Sequence, residues 1–493
     1  MNSKNIYKEF ISAKNGSLIP VLNSGRTIES RYNPEREAET QIQNFEKKYN
    51  AFLILGIGSG ILMNKLKEKY PDSLIIGVER SNNELNFLFN NKYISGLMDS
   101  DNIFFTTIEN LQSELCEKYL PAKYGDLKIV EQRNWIFENQ DVTEIIQKQI
   151  QSALKQISAD FSVQSHFGKI WCNNIIHNLK LLSNQNNNYS LITALDRNKT
   201  AYIIAAGPSI DENINTIIKD TNKIVIATDT AFQILQKYKI NPDIVVSLDG
   251  QNISYNHFMN SKKMDKTIYF FDLAGDFSAS KNVPDENRFF FVSGHPFSSF
   301  VNNYVNNTLP SLFAGAGTVT ISALDLAVKL GFKKIKVIGA DFAYLNGKSY
   351  AKGTYLDSLY NYKTSKINSN ENNYDKLLFR TPLEIINSNK YSTSVLDSYK
   401  KSFLSYLSIN KLEYVYENNI YEIKNKIIKT ELKKVENFNF IDFMNYLKSV
   451  SIEKLELSLL PLIAYFRKYN NYDENLEYSD FLKLAHSFIV SYN

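Results

Sequence analysis

At 493 residues the chain is too long for one ordinary hydrophobic core, so two or three domains are expected. Apolar and aromatic residues make up 43% of it, and 56 basic against 52 acidic residues leave a formal charge of +4, which excludes the dense basic footprint of a nucleic-acid binder. Two cysteines, Cys116 and Cys172, lie far apart without metal-ligand spacing and read as free buried thiols in a reducing cytoplasm.

The first residues, "MNSKNIYKEFISAKNGS", lack the apolar core of a signal peptide. No later stretch approaches the roughly 18 apolar residues of a membrane span, so a soluble intracellular protein is expected. Between about residues 50 and 110, "AFLILGIGSG" and "SLIIGVE" alternate with the helical stretch "ILMNKLKEKY", an α/β pattern. Gly56, Gly58 and Gly60 close the first of these strands, and Glu79 ends the next. In nucleotide-binding sheets such glycines let the backbone approach a ligand, and an acidic group at the second strand end accepts from ribose hydroxyls. The spacing resembles the cofactor loop of S-adenosylmethionine-dependent methyltransferases, without a methyltransferase signature downstream. A ligand site and a purely structural turn both stay open there.

Residues 140 to 185 read as helix, with Ile145, Ile146, Ile150, Leu154 and Ile157 at helical spacing, and are expected to bridge two βα systems. His166 and His177 flank Trp171 on this helix and read as packing residues. The second system begins at 201, with strands expected at 201 to 206, 223 to 228, 243 to 248, 267 to 272, 288 to 293 and 335 to 339. Helical patterns lie between them, so a mostly parallel sheet with helices on both faces is expected. "NQNNNY" at 184 to 189 and "INSNENNYD" at 367 to 375 read as polar surface loops. After about 390 the strand signals fade into amphipathic runs such as 453 to 469, read as a helical bundle interrupted or kinked at Pro461.

Polar residues recur where the strands of the second system end. The first ends in Gly207-Pro208-Ser209, the next in Thr228-Asp229-Thr230, and the third in Ser247-Leu248-Asp249-Gly250. Further along come Ser293-Gly294-His295-Pro296, the loop Gly315-Ala316-Gly317-Thr318, and Gly339-Ala340-Asp341-Phe342. Ligands in open α/β sheets collect beyond the carboxyl ends of strands, so these groups point to one crevice. Each also has a plainer reading: Ser209 and Asp229 as helix caps, and the glycines as sharp turns. "YIIAAGPSID" matches neither the dinucleotide fingerprint nor the Walker loop, so what this turn would hold stays open at this point.

"GPSID", "SLDG", "FAGAGTVTISALDLAVKLGFKKIKVIGADFAY", the upstream "SHFGKIWCNNIIHNL" and the early "LNSGRTIESRYNPEREAE" together resemble the motility-associated factor (Maf) family of flagellin glycosyltransferases. The resemblance runs from about 20 to 350. It implies a Rossmann-like α/β domain over 1–165, a central α/β domain similar to bacterial sialyltransferases over 166–388, and a helical domain over 389–493. It also implies transfer of a nonulosonic acid, of the pseudaminic or legionaminic type, from a CMP-activated donor to Ser or Thr of flagellin. That transfer takes place in the cytoplasm and serves flagellar assembly and motility.

Residue by residue, Gly207, Pro208 and Ser209 match the family's nucleotide loop, and Gly315, Gly317 and Thr318, with Ala316 between them, its second glycine loop. Thr228, Asp229, Asp249, Gly250 and Asp341 fall where strand ends face the nucleotide, with ribose or cytosine contacts as the role that suits the aspartates. Related sialyltransferases use a histidine after the "G-D-F" segment, yet no histidine occurs here between His295 and His486. The base is therefore open, with His295 as one candidate and Asp249 as a further catalytic candidate. Tyr344, Tyr350 and Tyr355 are candidates to contact the leaving phosphate. No metal is expected to be obligatory, although Asp249 offers a carboxylate to Mg or Mn. Two alternatives stand: a pterin pyrophosphokinase, with the three aspartates as metal ligands, and a non-catalytic flagellin-binding assembly factor.

Overall fold

The computed structural model describes residues 5–184, 189–259, 266–315, 317–427, 432, 438–469 and 476–492. Its contacts divide the chain into two compact units, Met1–Gly168 with Leu460–Ala485, and Lys169–Leu459 with His486–Asn493. Both units are α/β, and the C-terminal segment is mainly helical.

In the first unit, β1 (Tyr7–Ser12) and β2 (Leu18–Leu22) form an antiparallel hairpin. A parallel sheet follows, built from β3 (Ala51–Leu55), β4 (Leu74–Glu79), β5 (Ile103–Thr107) and β6 (Leu127–Glu131) in the order β5-β4-β3-β6. Every residue of β3 and β4 is buried, as in a parallel sheet covered on both faces. Phe52, Leu53, Ile76 and Trp135 are among the core residues. The helix Ile452–Tyr469, whose residues from Leu460 on belong to this unit, continues through Pro461 without the interruption that is one of the two expectations there. Gly168, in the 41-residue helix Thr143–Ser183, lies so close to the Pro461 carbonyl that a Cβ there would collide with it.

In the second unit the six expected strands are present as β7 (Thr200–Ile204), β8 (Lys223–Thr228), β9 (Ile244–Ser247), β10 (Ile268–Asp272), β11 (Arg288–Phe291) and β12 (Lys334–Ile338). After β12 comes an insert with β13 (Tyr344–Leu345), β14 (Glu384–Asn387) and β15 (Lys390–Ser392), paired in the order β13-β15-β14. It carries the helices Tyr355–Lys363 and Asn370–Leu378. The second of these lies over much of the segment expected to be a polar loop. Ser369 caps it by accepting from the Asn372 amide, and Leu378 is its buried residue.

The fading of strands after 390 also needs correcting. β16 (Glu413–Glu417) and β17 (Ile420–Lys424) form a hairpin that joins the main sheet, whose order is β11-β10-β9-β8-β7-β12-β17-β16. β17 runs antiparallel to β12, while the pairings from β11 to β12 are parallel. The chain moves outward from β7 through β8 to β11, then returns to lay β12 on the other side of β7. The strand order therefore reverses between β7 and β12, the place where open α/β sheets leave a crevice at their carboxyl ends. Among the described residues no helix is long and apolar enough to cross a membrane.

Candidate functional site

The loops after β7 and β12 are tied together at that reversal. The Ala205 amide donates to the Ile338 carbonyl at 2.9 Å, and the Gly207 amide to the Gly339 carbonyl at 2.9 Å. The Ser209 amide donates to Asp341 Oδ2 at 2.9 Å. A Cβ on Gly207 would overlap both the Asp341 carboxylate and the Gly339 carbonyl. Glycine is required at 207 because another side chain occupies the space a larger residue would fill.

Above this junction lies a cavity of about 340 Å³. Its floor comes from Ala205 to Gly207, Thr228, Thr230 and the run from Gly339 to Tyr344. One wall is the start of the helix Val319–Lys329, with Gly317, Thr318, Val319 and Thr320. The insert and the helix Ser394–Ile409 supply the rest, including Ser349, Tyr350, Leu377, Arg380, Thr381, Thr393 and Tyr399.

Two polar groups in this lining are buried without a hydrogen-bond partner, Asp341 Oδ1 and Ser349 Oγ. Burial raises the Asp341 pKa, against the hydrogen bond from the Ser209 amide that lowers it. Burial likewise raises the Tyr350 and Tyr399 hydroxyls, while the charge of Arg380 opposes that rise, so both stay protonated donors at neutral pH. Thr318, at the N-cap of its helix, makes no side-chain capping bond. The hydroxyl and the first-turn amides at that helix end are arranged as an anion site is, with the positive end of the helix dipole toward the cavity.

Of the residues singled out from sequence, Gly207, Thr228, Gly317, Thr318, Asp341, Tyr344 and Tyr350 line this cavity together, whereas Tyr355 does not line it. Ala316 lies outside the described residues. Pro208, Ser209, Asp229, Asp249, Gly250, His295 and Gly315 do not line it. Ser209 is fully buried and holds Asp341 through its amide. Asp229 ties two strand ends together: its Oδ2 accepts from Ser247 Oγ at 2.7 Å and its Oδ1 from the Thr230 amide at 2.6 Å. Gly250 packs against Trp171, and its carbonyl accepts from Asn174 Nδ2 at 2.9 Å. Gly315, at φ 54°, abuts Ser402 and Ile321.

Asp249 Oδ1 accepts from the Gln251 amide at 2.9 Å, and burial raises its pKa. His295 caps the helix Pro296–Tyr304, its Nδ1 accepting from the Phe297 amide at 3.2 Å. Its ring meets Trp171 edge-on at 5.4 Å, and burial pushes its pKa down to about 3. Among the described residues no group of three or more His, Cys, Asp or Glu could hold a metal ion, so Asp229, Asp249 and Asp341 do not fit a shared ligand set. Sequence reasoning missed Ser349, Arg380, Thr393 and Tyr399, which the insert and the helix after it bring back from 11 to 61 residues beyond the end of β12.

The first glycine turn is filled from within. Side chains at Gly56, Gly58 and Gly60 would run into Trp135, Glu29 and Ile94 respectively. Glu79 Oε1 accepts from Tyr7 Oη at 2.8 Å and the Ile57 amide at 2.7 Å, and its Oε2 from Trp135 Nε1 at 2.7 Å. The carboxylate in the ribose position is thus fully engaged by the chain itself.

Fold and cavity together define a doubly wound α/β protein with a polar crevice at a strand-order reversal. Residues 173–347 match the family model described as 6-hydroxymethylpterin diphosphokinase MptE-like. Two uncharacterized proteins of Treponema pallidum (strain Nichols) are similar. One is 40% identical over 23% of this chain and 41% of its own length, the other 32% identical over 29% of this chain and 67% of its own. The chain therefore spans under half the length of the first relative, and it belongs to the same family as the second. A Maf glycosyltransferase from Magnetospirillum magneticum AMB-1 has a similar structure, with a TM-score of 0.55 at 11% identity over 99% of this chain and 87% of that one.

Proposed function

We propose that this protein is a glycosyltransferase that moves a nonulosonic acid, of the pseudaminic or legionaminic type, from a CMP-activated donor to Ser or Thr of a flagellin in the cytoplasm. The observation that carries this reading is the cavity at the β7/β12 reversal, which joins a helix N-terminus to an unpartnered buried carboxylate oxygen. The likeness in fold to a Maf glycosyltransferase supports it.

The reaction breaks the bond between the anomeric carbon and the phosphate oxygen, forms one from that carbon to the acceptor oxygen, and passes the acceptor's hydroxyl proton to water or to the departing CMP phosphate. Negative charge grows on the departing CMP, so fixed donors aimed at its phosphate lower the barrier. In this reading the first-turn amides at Val319 and Thr320, with the Thr318 hydroxyl, hold that phosphate. Tyr350 donates to it through a phenol hydroxyl that is protonated at neutral pH, the more so because desolvation raises it. Asp341 accepts from the ribose hydroxyls or the cytosine amino group through Oδ1. His295 serves in this scheme as a helix cap, because its Nδ1 is committed to the Phe297 amide and it stays neutral.

A second reading rests on the matched family model: diphosphate transfer to a hydroxymethylpterin. One experiment separates the two. Purified protein is incubated with flagellin and CMP-activated pseudaminic or legionaminic acid, and in parallel with ATP, magnesium and 6-hydroxymethylpterin. Intact-mass spectrometry is expected to show one nonulosonate increment or more on flagellin and no pterin diphosphate. Unchanged flagellin with every donor rejects the glycosyltransferase reading.

A further inference from the structure

The donor proposed above carries two separate anionic groups, the bridging phosphate and the C1 carboxylate of the sugar. The cavity offers two separate places for negative charge. One is the N-terminus of the helix Val319–Lys329, which forms one wall of the cavity. The other is Arg380, the one cationic side chain among the described residues of the lining, two residues beyond the helix Asn370–Leu378 of the insert. Arg380 is exposed and forms no ion pair with a carboxylate among the described residues, so its guanidinium is available to a ligand. Tyr350, Thr381 and Tyr399 stand in the same wall and supply hydroxyls beside it.

Resting on the CMP-donor reading, we propose that Arg380 is a specificity-determining residue that binds the sugar carboxylate and selects carboxylated donors. The planar guanidinium fork matches a carboxylate with two parallel hydrogen bonds, a geometry that an ammonium group cannot reproduce. The phosphate has its own donors on a different element, so Arg380 contributes little to binding of the nucleotide alone. Hexose donors without a carboxylate gain nothing from this residue.

Calorimetric titration of the full chain with three probes tests the assignment: CMP, CMP-N-acetylneuraminic acid, and the methyl ester of that CMP-sugar. In Arg380→Gln the affinity for CMP is expected to stay within about twofold of the parent. Affinity for the acid form falls by about tenfold or more, consistent with loss of a charged, bidentate pair. The parent already binds the ester about as weakly as the variant binds the acid, and the variant no longer distinguishes the two. Arg380→Lys recovers only part of the loss. Retained CMP binding shows that the variant is folded. If the parent binds both CMP and the CMP-sugar while Arg380→Gln loses both equally, or neither, the Arg380 assignment is overturned and the donor reading stands. A parent that binds neither CMP nor the CMP-sugar overturns the donor reading, and the assignment with it.

Discussion

Glu29 and Glu79 are fully buried carboxyls in the first unit, and burial raises the pKa of each from 4.5 to about 7. Glu29 Oε1 accepts from the Ser59 amide, whereas its Oε2 has no partner, the arrangement expected of a carboxyl that keeps its proton. The folded state therefore binds more protons than the unfolded state between about pH 4.5 and 7. The stabilisation is complete below the unfolded value and is lost as pH rises through the folded one. A shift of this size corresponds to about 3 kcal/mol per group as an upper figure. Denaturant unfolding followed at pH 5 and pH 7.5 is expected to show the first unit more stable at the lower pH. Glu29→Gln keeps an acceptor for Ser59 and removes one titration, so its stability should vary less between the two pH values. An unchanged pH dependence in that variant would show that Glu29 is ionised in the folded protein.

At the scale of elements, β3, β4 and β7 to β12 were readable because each is a mainly apolar, mainly buried run that stops at a polar strand end, whereas β5 and β6, which are only partly buried, were not singled out. Gly207, Thr228, Gly317, Thr318 and Asp341 were found by that rule, since they follow strands or open helices at the cavity. Arg380, Thr393 and Tyr399 were not, because they belong to a polar insert and the helix after it, whose return to the sheet leaves no local pattern. β16 was missed for another reason: at the sheet edge all five of its residues are exposed, so no apolar face marks it. Its turn did carry a signal. Asn418 and Asn419 adopt φ 51° and 61°, the left-handed pair of a two-residue hairpin, and adjacent asparagines between alternating runs suit that turn. Asn418→Val places a β-branched residue in that conformation and is expected to destabilise the second unit by about 1–2 kcal/mol. Thermal unfolding measures this, and a melting temperature equal to the parent's would mean that the hairpin is not formed through this turn.

For the whole molecule, chain order and compact units do not coincide. Leu460–Ala485 belongs with residues up to Gly168, although more than 290 residues of the second unit lie between them in sequence. Specific contacts hold this late segment in place. Arg467 Nε donates to the Ala122 carbonyl at 3.0 Å and its Nη2 to that of Lys123 at 3.2 Å, while the Pro461 carbonyl faces Gly168. Apolar periodicity revealed these helices but carries no information on which distant segment they cover. The segment Leu460–Ala485 is thus part of the first unit's fold, and its disruption should be felt at that unit's core. Gly168→Val drives a side chain into the Pro461 backbone, where only main-chain movement relieves the overlap. Overpacking of this kind costs about 1–3 kcal/mol. The fluorescence of Trp135, fully buried in the first unit's core, reports the loss in a Trp171→Phe background during denaturant unfolding. A midpoint shifted to lower denaturant in Gly168→Val is the expected result, and coincident curves would show that the late helices contribute nothing to the stability of the early sheet.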